Sequence, residues 1–174
     1  MQLRIADLVN DSIVDGPGIR FTIFTQGCPH HCPGCHNPQT HDSQGGQWID
    51  IDAIYQKIAA NPLLDGLTLS GGDPFEQPAP LAALCARVRT LGLNIWAYTG
   101  YTWEALQARP ADDPVHALLA QLDVLVDGRF VQDQKDYRLK FKGSRNQRII
   151  DVPASLSQGT VVLSPYDDDN QRLE

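Results

Sequence analysis

Short runs of β-branched and aromatic residues alternate with apolar stripes at helical spacing along most of this chain. That alternation confines it to the α/β class. Ile19–Thr25 reads as a strand ending at Gly27. Ile51, Ile54, Tyr55, Ile58 and Ala59 follow helical spacing, and Asn61-Pro62 closes that helix. Leu67–Ser70 is a second strand running into Gly71-Gly72-Asp73-Pro74. Leu81, Leu84, Cys85 and Val88 mark a helix stopped near Gly92, and Leu93–Tyr98 is a strand ended by Thr99-Gly100. Val115, Leu118, Leu119 and Leu122 form another helical stripe, Val124–Val126 another strand, and Thr160–Leu163 a last one. Strands joined by crossover helices predict a mostly parallel sheet. An eight-unit barrel typically takes about 250 residues, so 174 residues suit a partial (βα) barrel. We expect a single domain over 1–174, with 165–174 as a flexible acidic tail.

The charge balance narrows the partners. With 14 Lys and Arg against 21 Asp and Glu, the net charge is -7, which argues against a nucleic-acid binder. No apolar run approaches the roughly 20 residues of a spanning helix, so no membrane partner is expected. Asp7 sits where a signal peptide would be apolar, so a cytoplasmic location is expected. One segment reverses the charge: Lys135–Arg148 holds six basic residues and one acid, Asp136. Its simplest reading is a solvated face; its functional reading is a docking surface or a contact with a cofactor carboxylate.

Three of the four cysteines, Cys28, Cys32 and Cys35, fall within eight residues, directly after a strand, in a loop shaped by Pro29, Pro33 and Gly34. Four cysteines so placed do not make a secreted disulfide scaffold; reduced thiols serving as metal ligands fit better. Zinc accepts a Cys₃His set, and His30, His31, His36 and His41 are all near. An iron–sulfur cube usually takes four cysteines, so three leave one iron open to an outside ligand. Cys85 lies on the apolar stripe of a helix, where a free cysteine behaves as a small hydrophobe. A second constellation favours the open cluster. In Ser70-Gly71-Gly72-Asp73-Pro74, paired glycines allow close backbone approach and the carboxylate can meet an ammonium group. Both loops follow strand C-terminal ends, where sites collect in parallel α/β folds.

The CxxxCxxC spacing, with this Gly-Gly-Asp-Pro loop, resembles the radical S-adenosylmethionine superfamily. Asp15-Gly16-Pro17-Gly18-Ile19-Arg20 is similar to the glycyl-radical-enzyme activase branch. Cys32-Pro33-Gly34-Cys35, Gly100-Tyr101-Thr102, Lys142-Gly143-Ser144 and Asn146-Gln147-Arg148 resemble those activases that serve anaerobic ribonucleoside-triphosphate reductase. The resemblance implies one radical S-adenosylmethionine domain in which Cys28, Cys32 and Cys35 hold three irons of a 4Fe-4S cluster. S-adenosylmethionine would chelate the fourth iron, with Ser70, Gly71, Gly72 and Asp73 at its amino group and Gly34, Cys35 and His36 beside it. It further implies a 5′-deoxyadenosyl radical, a glycyl radical stored on the reductase, and a low-potential electron donor such as reduced flavodoxin. Gly34 stands where many members carry an aromatic residue, and Asp73 where the usual residue is Glu. Two alternatives remain: an activase of another glycyl-radical enzyme such as pyruvate formate-lyase, and a non-catalytic Cys₃His zinc module. Outside the resemblance, Asp15-Gly16-Pro17-Gly18 reads as a β-turn, and Tyr98, Tyr101 and Trp103 as packing residues.

Overall fold

A computed structural model describes residues 1–167. Its strands are β1 (Gln2–Ser12), β2 (Arg20–Thr25), β3 (Gln47–Asp50), β4 (Gly66–Gly71), β5 (Asn94–Tyr98), β6 (Val124–Asp127) and β7 (Arg148–Asp151). They form one sheet in the order β3-β1-β2-β4-β5-β6-β7. The helices are α1 (Ile51–Ala59), α2 (Pro78–Arg89), α3 (Trp103–Gln107), α4 (Pro114–Leu119) and α5 (Val152–Gln158). Among the described residues, no helix is long and apolar enough to cross a membrane.

The expected parallel sheet is present only in its centre. β2, β4, β5 and β6 run parallel, whereas β1 joins β2, β3 joins β1 and β7 joins β6 antiparallel. The four parallel strands and the helices α1, α2 and α4 between them are the elements expected from periodicity. Thr160–Leu163 forms no strand; it lies beside β7 through the single Leu163–Ile150 bridge, and Ser155 Oγ accepts from Val162 N–H at 2.8 Å. Ordinary capping delimits the helices. Asp50 accepts from Asp52 N–H to start α1, Asp113 from Val115 N–H to start α4, and Asp151 from Ala154 N–H to start α5.

Register decides which face holds the core. Phe21 and Ile23 of β2 align with Leu67 and Leu69 of β4, then with Ile95 and Ala97 of β5. Leu125 of β6 and Ile150 of β7 complete these rows. Ile54, Ile58, Leu81, Leu84, Cys85, Val88, Leu118 and Leu119 share one buried cluster with them, so the helices cover this face. Side chains alternate along a strand, so Thr22, Phe24, Thr68, Ser70, Trp96, Tyr98 and Val126 point the other way. There Trp96, Val124, Val126 and Ile149 make a second, smaller cluster with Tyr98 and Phe141. This face also holds the cavity.

Candidate active site

The cysteine loop leaves β2 through Gln26 and Gly27. Its ends are clamped by Gly27 N–H to Thr40 O at 2.8 Å and Cys28 N–H to His41 O at 3.2 Å. Cys35 N–H reaches Cys32 O at 3.1 Å, closing a tight turn. Within that turn Gly34 has φ +75°, a backbone that a side chain would strain. Asn37 N–H points at Cys35 Sγ, 3.4 Å away. All three thiols are free, half-buried and on the wall of one cavity of about 650 Å³. Burial raises the Cys28 thiol above its ordinary pKa.

Ser70, Gly71 and Gly72, at the end of β4, line the same cavity with His36. The glycines are there for space. A Cβ on Gly72 would lie 2.3 Å from Gly27 O, and one on Gly71 would lie 2.4 Å from Thr25 N. With neither present, Gly72 N–H bonds Thr25 O at 2.8 Å and Asp73 N–H bonds Gly27 O at 2.9 Å, stitching the two loops together.

Two expected site residues are placed differently. Asp73 is fully buried. Its carboxylate accepts from Phe75 N–H at 3.0 Å, Gly100 N–H at 3.0 Å, the Thr99 hydroxyl at 2.9 Å and His30 Nε2 at 2.7 Å. Those donors take up the acceptor capacity expected to meet an ammonium group, and Asp73 does not reach the cavity wall. Gly34 likewise lies off the wall, packed against the Gln132 side chain.

The isolated cysteine is in the core. Cys85 is completely buried among α2 neighbours, and burial pushes its thiol up to about 12. The Asp15-Gly16-Pro17-Gly18 segment does more than turn the chain. Asp15 Oδ2 accepts from Ser12 Oγ at 2.5 Å, and Pro17 O accepts from Arg20 Nη1 at 3.1 Å. Arg20 is fully buried beneath it, donating to Thr68 Oγ1 at 2.6 Å and Leu67 O at 2.8 Å. Burial lowers its pKa to about 10. Trp103 packs in the main core and Tyr98 lines the cavity, where burial raises its phenol pKa. Sequence reading assigned no role to Phe130, which also lines the cavity and sits 5.2 Å from the His36 ring. A lone aromatic in a loop carries no pattern that would have flagged it.

The basic run is not uniformly a solvated face. Lys142 is buried, lines the cavity and faces Asp167 at 3.4 Å. Arg148 is engaged by Asp127 and Glu104. Arg138 and Arg145 both approach Asp136.

The donor chemistry fits an iron–sulfur group, which thiolates anchor. His41 Nε2 is buried without a partner on the wall of that cavity, leaving a polar atom for a bound group to satisfy. Among the described residues, no three His, Cys, Asp or Glu side chains are gathered closely enough to hold a metal ion. That spacing bears on a zinc ion and on an iron–sulfur cluster alike and does not separate the two.

Comparison with known proteins assigns the family. A model described as "4Fe-4S single cluster domain" matches residues 14–150. The anaerobic ribonucleoside-triphosphate reductase-activating protein of Vibrio cholerae is 44% identical over 148 residues, covering 79% of this chain and 90% of the relative. That of Escherichia coli K12 is 41% identical over 145 residues, covering 78% and 90%. The same-named protein of Enterobacteria phage T4 is 31% identical over 143 residues, covering 78% and 86%. With matches across most of its length, this chain belongs to the anaerobic ribonucleoside-triphosphate reductase-activating proteins and to the 4Fe-4S single cluster domain family.

Proposed function

We propose that the chain activates an anaerobic ribonucleoside-triphosphate reductase in the cytoplasm as a radical S-adenosylmethionine enzyme. Cys28, Cys32 and Cys35 would hold the 4Fe-4S cluster, and Ser70, Gly71 and Gly72 would face S-adenosylmethionine. A cluster held there would supply the one electron needed for reductive cleavage of S-adenosylmethionine, the chemistry by which a glycyl radical would be stored on the reductase. The observation that carries this reading is that three free thiols and the Ser70–Gly72 backbone line the wall of one cavity.

The chain's own residues serve that chemistry by position and exclusion. The Cys32–Cys35 turn and the Gly27–Thr40 clamp hold the thiols on one short loop. The stitched Gly72–Thr25 and Asp73–Gly27 backbones bring the Ser70–Gly72 wall against it, which is the proximity contribution of a prebuilt site. Tyr98, Phe130 and Phe141 supply apolar lining, which suits a radical that must be kept from water. We read the parallel β2-β4-β5-β6 centre as a partial (βα) barrel whose open side the client protein closes. A sulfonium resists one-electron reduction, and iron–sulfur centres reach potentials as low as about -700 mV, so the electron would come from a low-potential donor such as reduced flavodoxin.

The test is anaerobic. Reconstituted chain, S-adenosylmethionine, a chemical reductant and the reductase are mixed and examined by electron paramagnetic resonance. A glycyl doublet on the reductase is expected. A brown, reducible protein that cleaves S-adenosylmethionine but leaves no doublet would redirect the assignment to another client.

A further inference from the structure

Asp73 and His30 form a contact for which the thiol chemistry gives no reason. The His30 side chain is 4% exposed and that of Asp73 is 0% exposed, and Nε2 lies 2.7 Å from Oδ2. A carboxylate only accepts, so Nε2 is the protonated ring nitrogen. Asp73 also takes the Thr99 hydroxyl and Gly100 N–H from the end of β5. One carboxylate thus ties together the loops that follow β2, β4 and β5. The packing is shaped around this contact. A Cβ on Gly100 would lie 2.4 Å from the His30 ring, and the Tyr101 ring meets His30 edge-on at 4.6 Å. His30 sits between Cys28 and Cys32, so it is the side chain through which the hub reaches the cysteine loop.

We propose that His30 and Asp73 are a buried latch that positions the cysteine loop against the Ser70–Gly72 wall, with Asp73 acting as an anchor rather than as a cofactor ligand. The inference rests on the reading that these thiols hold a cluster, and it separates two roles for the carboxylate. An ammonium ligand would affect only cofactor affinity. A latch sets the loop itself, and therefore both cluster retention and cofactor fit.

The test uses the full-length chain, before and after anaerobic loading with iron and sulfide. Its variants are His30→Leu, His30→Gln, Asp73→Asn and the His30→Leu/Asp73→Asn double. Before loading, His30→Leu and Asp73→Asn each speed amide hydrogen exchange across residues 28–32 by about tenfold, the scale of one lost charge-assisted hydrogen bond. The double variant exchanges no faster than the worse single, because both remove the same contact. His30→Gln keeps a donor and exchanges near the wild-type rate. After loading, His30→Leu and Asp73→Asn retain at most half the wild-type iron and sulfide. Wild-type exchange in His30→Leu, or an Asp73→Asn chain that loads fully and only binds S-adenosylmethionine more weakly, overturns the latch. A wild-type chain that takes up no iron and sulfide would sink the cluster reading, while the exchange measurement still decides the latch. Should His30→Leu not fold, Gly100→Ala displaces the ring and leaves Asp73 its backbone donors; faster loop exchange supports the latch, and an unchanged rate overturns it.

Discussion

Four cysteines of one chemistry divide into two kinds by surroundings alone. Cys85 sits at full burial on α2 with its thiol pushed up to about 12, so it stays protonated and apolar at any working pH. The other three are half-buried on a cavity wall. Cys85→Ala is therefore expected to keep wild-type iron and sulfide stoichiometry while losing about 1 kcal/mol in denaturant unfolding, the ordinary cost of a small core truncation. Cys32→Ala is expected to lose most of its iron at nearly unchanged stability. Iron retained in Cys32→Ala and lost in Cys85→Ala would reverse the assignment. The spacing of Cys85 with Leu81, Leu84 and Val88 was enough to place it, because helical periodicity reports burial directly. Asp73 was harder. Its neighbours Gly71 and Gly72 pointed correctly to a close backbone approach, and Phe75 N–H is a local donor, yet the other donors to its carboxylate come from Thr99, Gly100 and His30, all at least 26 residues away. No local pattern encodes that convergence.

The elements differ in legibility for the same reason. α1 and α2 carry at least two turns of apolar stripe, α4 packs Val115, Leu118 and Leu119 into one stripe that Leu122 continues, and β2, β4, β5 and β6 are buried on both faces, so their composition alone marks them. α3 buries only Trp103 and Leu106, and α5 only Val152 and Ser155, too few positions for a period to register. β1 carries Asp7, Asn10 and Asp11, which lower its strand propensity and hide it. β7 begins at Arg148, a residue that sequence alone places on a solvated face, whereas it joins three elements. Arg148 bonds Asp127 Oδ2 of β6 at 2.5 Å and Glu104 Oε2 of α3 at 2.8 Å, while Asp127 also takes Trp103 N–H at 2.7 Å. Hydrogen bonding from Arg148 holds the Glu104 carboxyl below its usual range. Between that lowered value and the ordinary one near 4.3, the unfolded chain binds more protons than the native one. The contribution is thus complete above the ordinary value and lost as pH falls through the native one. Glu104 is largely exposed, so solvent screening keeps the effect at about 1 kcal/mol or less. Thermal melts from pH 7 down to pH 3 are expected to show a shallower acid limb for Glu104→Gln than for the wild type. Identical limbs would mean that this pair does not couple to folding.

Taken as one body, the described residues place their helices on one face of the sheet and close the other with loops and the segment that ends at Asp167. That closure is ionic at one point and aromatic at another. Lys142 Nζ faces Asp167 Oδ2 at 3.4 Å, with both side chains 1% exposed, and donates to Gln147 O at 3.2 Å. Asp167 also accepts from Ile149 N–H at 2.7 Å, fixing the segment to β7. Just before it, Tyr166 packs edge-on against Trp96 at 5.4 Å and Phe141 at 6.0 Å, over the small cluster beneath the cavity. Asp167 was expected within a flexible acidic tail starting at 165, because a run of aspartates looks solvated when its partner 25 residues upstream is not visible as one; positions 168–174 of that tail lie outside the described residues. The placement makes a strong prediction. Breaking a buried pair on one side removes a charge partner from the other at a cost of up to about 3–5 kcal/mol, and in a chain of this length that lowers the melting temperature by on the order of 10 °C. Lys142→Met should show that loss. Lys142→Met combined with Asp167→Leu should be less destabilised than the two single losses summed, since both remove the same pair, though Ile149 N–H then lacks its Asp167 acceptor and full recovery is not expected. Because Lys142 lines the cavity with the three thiols, its replacement is also expected to weaken S-adenosylmethionine binding to the loaded protein by isothermal titration. A Lys142→Met chain as stable as the wild type would show that the C-terminal segment does not close this face in solution.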